Sequence, residues 1–134
     1  MLQTAAQKYQ KVREATASPG ELLIALYDGL FGFLRGARLC MENKQTVRAL
    51  ELISKSRAII SELYIALDYS ASAELCAQLA AIYDFCLDRL TVASTKRNPE
   101  ALDEVLRVLT PLREAWKVAV PEAARQQANV ARAG

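Results

Sequence analysis

Histidine is missing altogether from this sequence of 134 residues. That removes the usual acid–base group at neutral pH and the commonest metal ligand together. Helical carboxylate di-iron centres need paired Glu-x-x-His motifs, so that chemistry is excluded. No nucleophile has a histidine to activate it, and no Gly-rich loop stands where a strand would turn into a helix to cradle phosphate. No enzyme activity, cofactor or metal is expected. Cysteine is sparse: Cys40, Cys76 and Cys86 show no C-x-x-C spacing and sit in apolar stretches, where they read as reduced core thiols. Charge is close to balanced, with 17 Lys and Arg against 15 Asp and Glu. Such a balance gives no basic surface for nucleic acid. No apolar run reaches the ~20 residues of a membrane span, because Asp28, Arg35 and Arg38 interrupt the longest. The first ten residues, MLQTAAQKYQ, carry no apolar signal-peptide core, so a cytoplasmic protein without membrane insertion is expected.

What is present is helical periodicity. Ser18-Pro19-Gly20-Glu21 is a capping box with proline at the first helical position. It opens LLIALYDGLFGFLRGARLCM, residues 22–41. Leu23, Leu26, Tyr27, Leu30, Leu34, Ala37 and Met41 recur at spacings of three and four and form one stripe. Leu22, Ile24, Phe31, Phe33, Leu39 and Cys40 are apolar too and fall off it. A helix apolar nearly all round is either central in a core or has a second face awaiting a partner. Gly32 and Gly36 lie one turn apart, so that face would admit a close neighbour.

Residues 42–45 break the pattern, with Asn43 as a stop and Thr46 as a cap. The second helix is predicted over residues 47–67, with Leu50, Ile53, Ile60, Leu63 and Leu67 as its core stripe and Leu52, Ile59 and Ala66 on a line to one side. Ser72 caps a third helix over residues 73–95, whose stripe includes Leu75, Cys76, Leu79, Tyr83, Cys86 and Leu90. Asn98-Pro99-Glu100 repeats the cap-plus-proline start. The fourth helix carries Leu102, Val105, Leu109, Leu112, Trp116 and Val120, with a kink expected at Pro111 and an end at Pro121. Four helices of about twenty residues, ~30 Å each, joined by short connections, predict an all-α fold: an antiparallel up-down four-helix bundle. Residues 1–17 are read as a strap or short helix, 18–120 as the bundle and 121–134 as a flexible tail.

Four helices need about three apolar positions per heptad to fill a bundle core. The first helix offers more, and so in lesser degree do the second and third. The surplus points to a groove for amphipathic partner helices, or to a homodimer through the same face.

The chain resembles the flagellin export chaperone family, FliS. The resemblance lies in Tyr9-Gln10; in Ala17-Ser18-Pro19 leading into Leu22-Leu23-Ile24-Ala25-Leu26-Tyr27-Asp28-Gly29; in Ala58-Ile59-Ile60-Ser61-Glu62-Leu63 with Leu67-Asp68; in Leu79, Ile82-Tyr83-Asp84 and Arg89-Leu90; and in Leu112-Arg113-Glu114-Ala115-Trp116. These pieces run in order from about residue 9 to 117. The resemblance implies a cytoplasmic partner, the disordered C-terminal segment of flagellin, wrapped round the bundle. It also implies a transient contact with a membrane export-gate protein, in which the N-terminal segment takes part. Leu22, Tyr27, Ile59, Leu63, Leu67 and Tyr83 are then the expected groove residues, and Tyr9, Gln10 and Val12 the strap residues that serve the gate. A self-associating bundle without flagellin cargo is the alternative.

Overall fold

Proline at helix position one, a run of good helix formers and short polar breaks produce the four helices in the expected order. The structure is a computed structural model that describes residues 19–133. Helix α1 is Pro19–Glu42, α2 is Thr46–Ile65, α3 is Ala73–Thr95 and α4 is Pro99–Ala133. The fold is all-α, with no strand among the described residues. The strap over residues 1–17, with Tyr9, Gln10 and Val12, and the Ser18 cap lie outside the described residues.

The helix ends show why the chain turns where it does. At the end of α1, Gln45 donates its backbone N–H to Cys40 O at 2.8 Å and Lys44 to Met41 O at 3.1 Å, with Lys44 at φ 59°. That is a Schellman cap with lysine in the left-handed position usually given to glycine. The end of α3 is built alike: Asn98 donates to Ala93 O at 3.2 Å and Arg97 stands at φ 50°. A non-glycine residue in this region costs about 1 kcal/mol. Ser72 caps α3 as expected, its hydroxyl accepting from the Leu75 N–H at 3.2 Å. Asn98 Oδ1 accepts from the Glu100 N–H at 3.0 Å ahead of α4. Thr46 is not a cap. It is the first residue of α2, and the preceding Gln45 gives no side-chain bond.

The chain forms two units. The first comprises residues up to Gly29 together with those from Thr110 onward; the second is Leu30–Leu109. In the second unit all four helices contribute to one apolar core: Leu30, Phe31, Leu34 and Ala37 from α1, Ile53 and Ile60 from α2, Cys86 and Leu90 from α3, Leu102, Val105 and Leu109 from α4. Each large side chain so buried is worth about 1.5–3 kcal/mol in transfer from water. Connections at residues 43–45, 66–72 and 96–98 are short, which makes consecutive helices antiparallel neighbours. Polar ties cross between helices at the edges of this core. Arg38 Nε donates to Asp103 Oδ1 at 3.0 Å, Arg57 Nη2 to Thr91 Oγ1 at 2.7 Å, and Arg89 Nη1 lies 3.5 Å from Glu104 Oε2.

The register of α2 differs from the expected one. Its buried residues are Ala49, Leu52, Ile53, Ser56, Ile59, Ile60 and Leu63. The line expected at the side, Leu52 and Ile59, is in the core, while Leu50 and Ala66 are exposed. The period is that of the buried set Ala49, Ser56 and Leu63, seven apart, and the hydroxyl of Ser56 fits there because it donates to Leu52 O at 2.9 Å. α2 also ends at Ile65, before Leu67.

In the first unit, α1 packs closely on α4 at Gly20. A Cβ at that position would lie 2.5 Å from Val120 Cγ1. The shared glycine face expected at Gly32 and Gly36 is only half present. Gly36 faces Leu52, whereas a Cβ on Gly32 would meet nothing within 4 Å. The expected end at Pro121 is absent, and α4 runs through both Pro111 and Pro121 to Ala133. Both prolines are exposed, so water can take up the carbonyls they leave unpaired.

Candidate functional site

The start of α1 carries Leu22, Leu23, Ile24 and Ala25 in succession, and all four are half-buried. No one-sided packing can cover four consecutive helical residues, which point in four directions. Leu22 is therefore partly open, as a groove residue would be. Tyr27, also in the first unit, is wholly buried. Here Trp116 of α4 is half-buried, and its indole N–H is buried without an acceptor among the described residues.

In the second unit Ile59, Leu63 and Tyr83 are core. Tyr83 packs with its ring centroid 6.3 Å from that of Tyr64, whose hydroxyl donates to Asp84 Oδ2 at 3.4 Å. The adjacent carboxylate pushes the Tyr64 phenol above its ordinary pKa. Leu67 is half-buried in the α2–α3 connection. Of the six expected groove residues, then, Leu22 and Leu67 are partly open, and Tyr27, Ile59, Leu63 and Tyr83 face inward. A stripe tells which residues share a face, not which side is outside.

This unit also has uncovered apolar surface at its α2–α3 connection, on residues the sequence pattern did not single out for binding. Ile65 is 83% exposed, Tyr69 50% and Leu75 46%, all gathered where α2 gives way to α3, with Phe85 exposed further along α3. The turn that carries them is well made. Ala71 donates to Asp68 O at 3.1 Å, the Ser70 hydroxyl and N–H both donate to Asp68 Oδ1, and Cys76 Sγ lies 3.3 Å from Asp68 O. The Ser70 hydroxyl holds the Asp68 carboxyl below its usual pKa, so it stays charged. No Lys or Arg occurs from Ala58 to Asp88, whereas Glu62, Asp68, Glu74, Asp84 and Asp88 all do. The turn is thus apolar and acidic. One signal in the sequence could have found it: apolar residues in a connection, Tyr69 above all, have no stripe to join.

What this arrangement offers is exposed apolar surface. Among the described residues no cluster of His, Cys, Asp and Glu could hold a metal. The three cysteines are free and buried, and burial pushes the Cys86 thiol up to about 12. Among the described residues no helix is long and apolar enough to cross a membrane.

Comparison with known proteins agrees with the fold and gives it a family. The profile of the family described as flagellar protein FliS matches residues 1–123. The chain belongs to the FliS family. Among FliS relatives, the flagellar secretion chaperone FliS of Bacillus subtilis (strain 168) is 38% identical over 112 residues, 84% of this chain and 83% of that one. Its counterpart of the same name in Salmonella typhimurium is 34% identical over 115 residues, 85% of each. A solved structure, described as a flagellar chaperone from bacteria, superposes with a TM-score of 0.73 over 89% of this chain and 99% of its own, at 20% identity, and so shares the fold. FliS relatives are chaperones rather than enzymes.

Proposed function

We propose that this flagellar secretion chaperone binds the disordered C-terminal segment of flagellin on its uncovered apolar surface in the cytoplasm, keeps subunits from assembling early and hands them to the membrane export gate. The observation that carries the reading is the exposed Ile65, Tyr69 and Leu75 at the α2–α3 connection of the second unit. Exposed apolar side chains grouped in this way mark interaction surfaces. A guest that is disordered when free and helical when bound gives up chain entropy on binding, so its affinity per unit area is modest and release stays feasible. Ile59, Leu63 and Tyr83 then lie in the core behind that surface and Leu67 forms part of it; in the first unit, Leu22 is partly open to a guest and Tyr27 lies in the core. Tyr9, Gln10 and Val12 serve the gate.

The test is a titration of the full chain with a flagellin C-terminal peptide, followed by circular dichroism. One-to-one binding with a gain of helix is the expected result, and no binding at tens of micromolar contradicts it. Trp116, the single tryptophan, gives an independent fluorescence signal. For the gate, Tyr9→Ala is expected to keep peptide affinity and lower flagellin export; equal loss of both contradicts a separate role. Sedimentation with and without peptide answers the rival self-association: a dimer that ignores the peptide would support it.

A further inference from the structure

Lys44 and Arg97 are the only non-glycine residues at positive φ among the described residues, and both are long cations. Each stands at the left-handed position of a Schellman cap, where glycine would be held at lower cost. They lie on different connections, yet they line the same cavity. That cavity has a volume of about 320 Å³ and a floor made by Met41, Ala49 and Leu50, with Thr46 as its other polar wall. Neither cation is paired among the described residues. Glu42, two residues before Lys44, is already engaged by Arg38, and Glu51 by Arg48. Leu50 is open to solvent, and Leu39 and Val47 are exposed on the same two helices.

We propose that this cleft is a second docking point, for an acidic amphipathic protein segment. A bulky apolar side chain of the segment occupies the Met41–Ala49–Leu50 floor, and carboxylates one turn to either side meet Lys44 and Arg97. The cleft's chemistry selects this class. Two unpaired cations at the rim attract negative charge. No aromatic side chain lines the cavity to stack a base. Two cations fall short of the cluster of four to eight that holds a protein to an anionic membrane. The proposal does not rest on the guest-binding reading, because none of these residues belongs to that surface.

The variant Lys44→Gly/Arg97→Gly makes a clean test, since it removes both cations while relieving both left-handed side-chain residues. It is expected to melt at or above the wild-type temperature, so lost binding cannot be lost folding. The probe is a short fluorescent peptide with Glu and Asp flanking Leu at one-turn spacing, read by anisotropy against the full chain. Saturable binding with a dissociation constant on the order of 100 µM is expected. It should weaken at least about tenfold in the double variant and fall as salt rises to about 0.5 M. A flagellin C-terminal peptide should bind wild type and variant alike. No saturation at about 1 mM, equal binding by the double variant, or equal affinity for a Lys-for-Glu probe would overturn the proposal. So would full competition by acetate together with equal binding of a Leu-to-Ala probe, which would reveal a bare anion contact. A parallel loss of flagellin peptide in the double variant would overturn the separateness of the cleft.

Discussion

Arg113 of α4 closes on Asp28 of α1, with Nε 2.7 Å and Nη2 2.6 Å from the same carboxylate oxygen. The two residues are 85 apart in sequence, and their pair ties the opening of α1 to the far half of α4. Asp28 is half-exposed, so water screens much of the attraction. A double-mutant cycle with Asp28→Asn and Arg113→Gln is expected to give a coupling of about 0.5–1 kcal/mol in urea unfolding. A coupling indistinguishable from zero would show that the pair is only a surface contact.

The glycines of α1 make opposite predictions. At Gly20 a methyl group runs into Val120, whose β-branched side chain has little freedom to turn away. Gly20→Ala is expected to destabilise by about 1–3 kcal/mol. Gly32 is exposed and faces open space. Gly32→Ala is therefore expected to stabilise by about 0.5–1 kcal/mol, the usual gain from removing a mid-helix glycine. Thermal melts of the two variants should move in opposite directions; the same sign for both would contradict the packing at Gly20.

Cys86 makes stability depend on pH. Its folded-state pKa is raised, by burial, from 9.0 to about 12. Well below pH 9 the thiol is neutral in both states and contributes no pH dependence. Between pH 9 and 12 the unfolded chain ionises while the folded chain does not, so stability falls as pH rises. The expected loss approaches about 1.4 kcal/mol per pH unit at the middle of that window. Comparing wild type with Cys86→Ala from pH 8 to 10.5 isolates this slope. Parallel curves for the two proteins would show that the thiol ionises without opening the core.

Every residue from Pro121 to Ala133 is exposed, although the segment is helical. Truncation after Pro121 is thus expected to change unfolding free energy by less than roughly 0.5 kcal/mol. It should also leave the flagellin peptide affinity unchanged, as a tail outside the binding surface requires. A larger loss would mean that the end of α4 packs on something.

Much of the fold was legible in the sequence because caps and periods are local. Ser72 and Asn98 announced α3 and α4 through side chains that bond within three residues. Where a stripe faces is not local. Leu50 and Leu52 are equally apolar, and only the neighbouring helices put Leu52 inside and Leu50 outside. For the same reason Tyr27, Ile59, Leu63 and Tyr83, expected as groove residues, lie in the core, while Ile65, on neither line of α2, is the most open large apolar residue among those described. Pro121 misled through propensity. The loss of one hydrogen bond at an exposed position was outweighed by good helix formers on both sides, Ala115, Lys117 and Ala119 before it and Glu122 to Gln127 after it.

The account turns on apolar surface that the chain leaves uncovered and a guest helix covers. Calorimetric titration of the full chain with a flagellin C-terminal peptide, repeated at several temperatures and with the variant Ile65→Ser/Tyr69→Ser/Leu75→Ser, tests this most directly. The account predicts one-to-one binding, a negative heat-capacity change consistent with burial of about 2,000 Å², and at least tenfold weaker binding by the variant. A heat-capacity change near zero, or a variant that binds like the wild type, would contradict it.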